Sequence, residues 1–221
     1  MDSNRKIAII VGVLFITAMV AGMLRYFLLD TILDAPDYLS NVSANENRVI
    51  IGTTSFFINA VALAGIAIVI YPILKKHNEA LALGYVGARI VEAVLFIVAI
   101  ISILTLFTLS QEFVKAGAPD TSYFQTLGDL LLAVRHYAYS VVWPITLSLG
   151  TLMFYYLLYQ LKLIPRWLSV WGLIGAILFP ASFGGGALVL PLVANEWILV
   201  VWLIVKGFNS SAIASSLPKQ I

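Results

Sequence analysis

Arg89, Glu92 and Glu196 lie inside long apolar runs, with Arg25, Asn59 and the Arg135-His136 pair nearby. A charge at the bilayer centre costs roughly 2.5–3.5 kcal/mol on insertion scales, and intramembrane ions are rare and mark proton relays, ion paths or ligand sites. Arg89 and Glu92 are spaced i, i+3, so on a helix both side chains turn the same way and can pair. Ions in low dielectric persist only when compensated. Arg25, Arg89 and Arg135 are therefore matched with Glu92, Glu196 and Asp129, and Arg89 is expected to contact Glu92, Glu196 or both.

Depth follows from the rise of a helix, about 1.5 Å per residue. Counted from Glu79, Arg89 is about 15 Å deep and Glu92 about 20 Å. Glu196 is about 15 Å from Lys206, and Asn59 about 24 Å from Lys75. Arg25, Arg135 and His136 fall near the opposite boundary. The expected picture is an outward-opening vestibule. Arg89, Glu92 and Glu196 form its floor, and Arg25, Arg135 and His136 its rim. Such a rim favours a small anionic ligand or a lipid headgroup. If protons move, Glu92 or Glu196 is the better relay.

The elements that hold these residues are membrane spans. Of 221 residues 61% are hydrophobic and 11% charged, where soluble domains run nearer 45–50% and about 25%. A spanning helix needs about 20 mostly apolar residues. Six segments qualify, roughly 6–28, 49–74, 80–108, 124–160, 166–183 and 187–208. The first reads as a retained signal anchor, its apolar run being longer than a secretory signal core. Pro144 should kink the fourth, and Pro180 with Gly184-Gly185-Gly186 marks the turn between the last two. The fold class is an all-α integral membrane bundle of six helices, read as a single domain over 1–221.

Basic residues set the orientation. Arg5, Lys6, Lys75, Lys76, Lys162, Arg166, Lys206 and Lys219 fall on one side, against Arg48 and Lys115 on the other. By the positive-inside rule the first side is cytoplasmic, and six crossings put both termini there. The opposite loops are acidic, with Asp30, Asp34, Asp37, Glu46, Glu112 and Asp120.

Several chemistries are disfavoured. There is no cysteine and there are two histidines, His77 and His136, so disulfides and Cys or His-rich metal sites are not expected. No basic stripe with interleaved aromatics points to nucleic acid. No protease, zincin, P-loop or dinucleotide motif appears, so no cofactor or metal is expected. The leading reading is a binding or transport protein whose partner is the lipid bilayer, rather than an enzyme. Two other readings stand beside it. One is an intramembrane enzyme acting on a lipid, with His136 or a glutamate as general base. The other is a subunit whose charges only join helices, in which case Arg25 and Arg135 snorkel to headgroups. Gly84, Gly87, Ala88, Gly172, Gly175 and Ala176 read as close helix contacts.

Several stretches together resemble a known family. They are Ala44-Asn45-Glu46-Asn47-Arg48, Leu74-Lys75, Arg89-Ile90-Val91-Glu92-Ala93, Leu163-Ile164-Pro165-Arg166-Trp167-Leu168 with Gly172 and Gly175, and Glu196 followed by Trp202-Leu203 and Lys206-Gly207. The chain resembles a bacterial and archaeal membrane family, the domain of unknown function 4386. The Pro-Arg-Trp-Leu and terminal Glu…Trp-Leu…Lys-Gly pieces are the specific part. The resemblance implies a multi-pass protein of a prokaryotic plasma membrane and carries no activity with it.

Overall fold

The computed structural model describes residues 3–118, 123–182 and 186–209, and these are helical with short turns. Readings that fall on Asp120, Gly184, Gly185 and Lys219 lie outside them. In chain order the helices are α1 (Ser3–Arg25), α2 (Thr31–Leu33), α3 (Tyr38–Ala44), α4 (Glu46–Leu74), α5 (Glu79–Lys115), α6 (Tyr123–His136), α7 (Trp143–Leu161), α8 (Arg166–Leu178) and α9 (Leu190–Val205). Two π-helical stretches, Tyr26–Asp30 and Tyr137–Val142, join α1 to α2 and α6 to α7. The described residues hold no strand. In hydrocarbon each backbone N–H and C=O must find its partner inside its own segment, which a helix provides.

Five stretches are long and apolar enough to cross a membrane: Asn4–Leu33, Glu46–Leu74, Glu79–Lys115, Tyr123–Leu161 and Ala187–Val205. The segment expected over 166–183 is shorter as a helix. The 13 residues of α8 span about 20 Å, against a hydrocarbon core of about 30 Å. Pro180 has no N–H to continue the ladder, and a 3-10 turn, Pro180–Ser182, follows the helix. In the fourth segment the irregularity expected from Pro144 takes the form of the π-helical stretch Tyr137–Val142 just ahead of it.

The chain packs as two compact units. The first comprises Met1–Ile16, Ala62–Glu92 and Trp143–Ile221, the second Thr17–Val61 and Ala93–Val142. Helices α1, α4 and α5 thus contribute residues to both.

In the first unit small residues let α7, α8 and α9 approach closely. A Cβ on Gly172 would lie 2.5 Å from the Tyr155 ring, and one on Gly175 would lie 2.9 Å from the Leu192 backbone. Gly84 lies against Met153, whereas among the described residues nothing stands within 4 Å of a Cβ on Gly87. The buried Asn195 side chain donates to the Leu168 carbonyl at 2.9 Å, tying α9 to α8. A ring can turn aside but a helix backbone cannot. Gly175→Ala is therefore expected to destabilise by about 1–3 kcal/mol through overpacking. Gly87→Ala should hold or raise the melting temperature, since alanine is the better helix former. Thermal unfolding in detergent compares the two; equal shifts would refute the close contact at Gly175.

In the second unit Phe56, Phe96 and Tyr139 form an aromatic cluster. Its ring centroids are 4.7 Å apart for Phe56–Phe96 and 5.4 Å for Phe56–Tyr139.

Candidate functional site

The seven candidate residues divide between the units. Arg89, Glu92 and Glu196 belong to the first; Arg25, Asn59, Arg135 and His136 belong to the second.

In the first unit, α5 brings Arg89 and Glu92 onto one face one turn apart, and both are buried. The Arg89 guanidinium donates to Glu92 Oε2 at 3.1 Å. Trp143, at the start of α7, donates its indole N–H to the same oxygen at 3.2 Å. Its ring meets Phe179 edge-on at 5.6 Å. Gly150 supports this geometry: a Cβ there would stand 3.0 Å from the Ala88 Cβ and 3.5 Å from Glu92 Oε1. Glu196, half-buried on α9, lies within Coulombic range of both Arg89 and Glu92.

Two tyrosines, Tyr85 and Tyr155, lie near the pair. Tyr85, one turn before Arg89, lies under its guanidinium, with Cζ 5.5 Å from the ring centroid. Tyr85 stacks on Phe154 at 5.0 Å, and Tyr155 meets Phe154 edge-on at 5.2 Å. Among the described residues the Tyr155 hydroxyl, Ser148 Oγ, Thr151 Oγ1, Glu92 Oε1 and Arg89 Nε are buried without a hydrogen-bond partner. Buried polar groups are ordinarily paired, and each one left unpaired carries a desolvation cost. This unit therefore holds several buried, unpaired polar atoms, two of them on the Arg89–Glu92 pair itself.

In the second unit the cations find a different acid from the one expected. Arg25, 3% exposed, grips Asp30 with both terminal nitrogens at 3.1 Å and donates to the Tyr139 hydroxyl at 3.1 Å. Its guanidinium also lies 4.4 Å from the Tyr139 ring centroid. Arg135 bonds the same Asp30 carboxylate and reaches Asp34 at 3.4 Å. Both arginines are thus held by aspartates. Asp129 takes neither: it accepts from the Tyr38 hydroxyl at 2.8 Å. His136 is exposed and packs edge-on against Tyr137 at 5.8 Å. Asn59 packs against Gly22, where a Cβ would lie 2.7 Å from its Nδ2, and its buried Oδ1 has no hydrogen-bond partner among the described residues.

The π-helical stretch explains the pairing that the sequence hid. On an α-helix residues five apart are turned about 140° from one another. A π-turn closes i→i+5 and stacks them on one face. Tyr26–Asp30 is such a turn, and it carries Asp30 back to Arg25. Tyr139 lies in the second π-helical stretch, just after Arg135.

Burial first, then the hydrogen bond to Asp129, holds the Tyr38 hydroxyl well above the usual tyrosine range. With the folded value raised, the stabilisation is fully present below about pH 10, the ordinary tyrosine value, and is lost as pH rises beyond it. Tyr38→Phe is expected to cost about 1 kcal/mol at pH 7 and to flatten the alkaline fall in stability. Melting curves of the two proteins from pH 8 to 11.5 test this; parallel falls would refute it.

Sequence reasoning missed Asp30, Tyr139, Trp143, Tyr85 and Tyr155. The Tyr85–Arg89 spacing of i, i+4 was the available signal, since residues at that spacing share a helix face.

No curated protein and no solved structure matches the chain. The family model "Domain of unknown function (DUF4386)" matches residues 10–207. With that match covering most of the chain and all five of its long apolar helices in whole or in large part, the chain belongs to the DUF4386 family.

Proposed function

We propose that this membrane protein binds and carries a small anionic solute together with a proton at the Arg89–Glu92 centre. One observation carries the reading: a buried ion pair whose carboxylate keeps one oxygen without a hydrogen-bond partner among the described residues, with Tyr85 and Tyr155 near its arginine. A solute anion can replace Glu92 as the partner of Arg89 if Glu92 takes up a proton in the same step. The buried cation is then compensated before and after the exchange, as low dielectric demands. Tyr85 and Tyr155 would hydrogen-bond the solute's remaining oxygens, and Glu196 would pass the proton. Weighted by its basic residues, the chain has both termini in the cytoplasm, with α8 as a short sixth crossing of a plasma membrane.

A structural role is the second reading, favoured by Trp143, whose bond to Glu92 joins α7 to α5. Proteoliposomes loaded with a pH-sensitive dye separate the two. Under inward gradients of phosphate, succinate or glutamate, at least one anion is expected to acidify the lumen, and Glu92→Gln to abolish this while the protein still reconstitutes. No acidification with any of the three, together with a large loss of thermal stability in Glu92→Gln, would establish the structural role instead.

A further inference from the structure

We propose that a cavity of about 490 Å³, between the α7–α8 turn and the end of α9, binds the phosphate group of an organic phosphate, either a lipid headgroup or a soluble phosphate ester. This site shares no residue with the Arg89–Glu92 centre, and its failure would leave that reading standing. Its wall carries Lys162, Arg166 and Lys206 and no acid. None of the three is ion-paired among the described residues. The Arg166 guanidinium is steadied over the Tyr159 ring, 5.2 Å from its centroid. Three cations gathered around one concavity repel one another and create a positive potential that an anion relieves. Trp202 adds apolar surface to the same wall, which suits a phosphate attached to an organic group.

The surrounding helix ends agree in sign. Carbonyl oxygens at the end of a helix would oppose an anion, and here donors already cover them. Arg5 donates to the carbonyls of Leu203, Ile204 and Val205, at 3.3, 2.6 and 3.1 Å. Gly207, at φ +74°, makes room for it: a Cβ there would lie 2.7 Å from the guanidinium. At the end of α7, Asn209 donates its backbone N–H to Leu163 O at 3.0 Å and its side-chain amide to Lys162 O at 3.4 Å. Helix α8, by contrast, begins at Arg166 on the cavity wall with no side-chain cap from Pro165. The first N–H groups of a helix lack intrahelical partners and favour an anion. By charge bias this is the cytoplasmic end, where the leaflet is rich in anionic lipid.

The test uses the full chain purified in detergent, with native mass spectrometry and thermal unfolding as readouts. The probes are phosphatidylglycerol, phosphatidylcholine and inorganic pyrophosphate. Wild type is expected to retain phosphatidylglycerol over phosphatidylcholine and to melt higher with it. In the triple variant Lys162→Gln, Arg166→Gln, Lys206→Gln the preference should weaken about a hundredfold, at roughly fivefold per charge. The pair Lys75→Gln, Lys76→Gln removes basic charge from the same side outside the cavity and should leave the preference intact. If pyrophosphate binds and displaces the lipid, the source is a soluble phosphate; if it does not, the source is the headgroup. Equal losses in the triple and the Lys75, Lys76 variants would overturn the site, as would no preference for either phosphate probe in wild type. Should the triple variant aggregate, Lys162→Gln, Lys206→Gln with Arg166 retained is expected to show about a twenty-fivefold loss on the same scale.

Discussion

Glu92→Ala is expected to be among the most destabilising single substitutions in the first unit, costing about 3–5 kcal/mol. That corresponds to a fall on the order of 10 °C in melting temperature. The reason is Arg89, which is 1% exposed and would lose its direct acidic partner. The converse variant should cost less. Arginine stays protonated under all ordinary conditions, whereas a stranded carboxylate can discharge by taking a proton. Arg89→Ala is therefore expected to fall short of Glu92→Ala by about 1 kcal/mol or more. Glu196, within Coulombic range of Arg89, is the remaining counter-charge. Adding Glu196→Ala to Glu92→Ala should deepen the loss beyond the sum of the two. The double variant Arg89→Met, Glu92→Leu removes both ions and fills their volume, and should return most of the stability. Melting curves in one detergent at one pH decide the order. Equal losses in the two single variants with no recovery in the double would mean that the ion pair is not the unit that matters.

Much of this was legible in the sequence, for reasons that differ by residue. The spans show themselves because apolar runs of 20 or so residues have few other uses. The Arg89–Glu92 contact shows itself because an i, i+3 spacing fixes a shared face on any α-helix. The partner of Arg25 was hidden because the register changes: an α-helical count turns Asp30 away, and the π-turn at Tyr26–Asp30 turns it back. Asp129 was matched with arginine by charge alone, whereas its partner, the Tyr38 hydroxyl, comes from 91 residues away and carries no charge to count. The bond from Trp143 to Glu92 was hidden because a sequence shows the ring but not the aim of its N–H. The shortness of α8 was foreshadowed by Pro180, but hydropathy extended the segment past it.

The corresponding large effect in the second unit is expected at Asp30, and its neighbour Asp34 provides the contrast. Asp30 is shared by two arginines, and its side chain is 14% exposed; that of Asp34 is 67% exposed and is ion-paired, among the described residues, with Arg135. Asp30→Asn keeps the shape and removes the charge. Arg135 retains Asp34, so the loss falls on Arg25, which keeps the Tyr139 hydroxyl and ring but no acid. A buried, singly stranded guanidinium predicts a cost of about 3 kcal/mol or more. Asp34→Asn, at an exposed pair, should cost about 0.5 kcal/mol or less. Arg25→Met in the Asp30→Asn background should recover much of the loss, because it removes the stranded charge rather than restoring its partner. The π-turn gives a second, local readout. Its extra residue is held in register by the Arg25–Asp30 grip, so hydrogen exchange over 26–30 should quicken in Asp30→Asn and stay unchanged in Asp34→Asn. Similar melting temperatures for the two aspartate variants would show that Arg25 draws its compensation from the aromatic cluster instead.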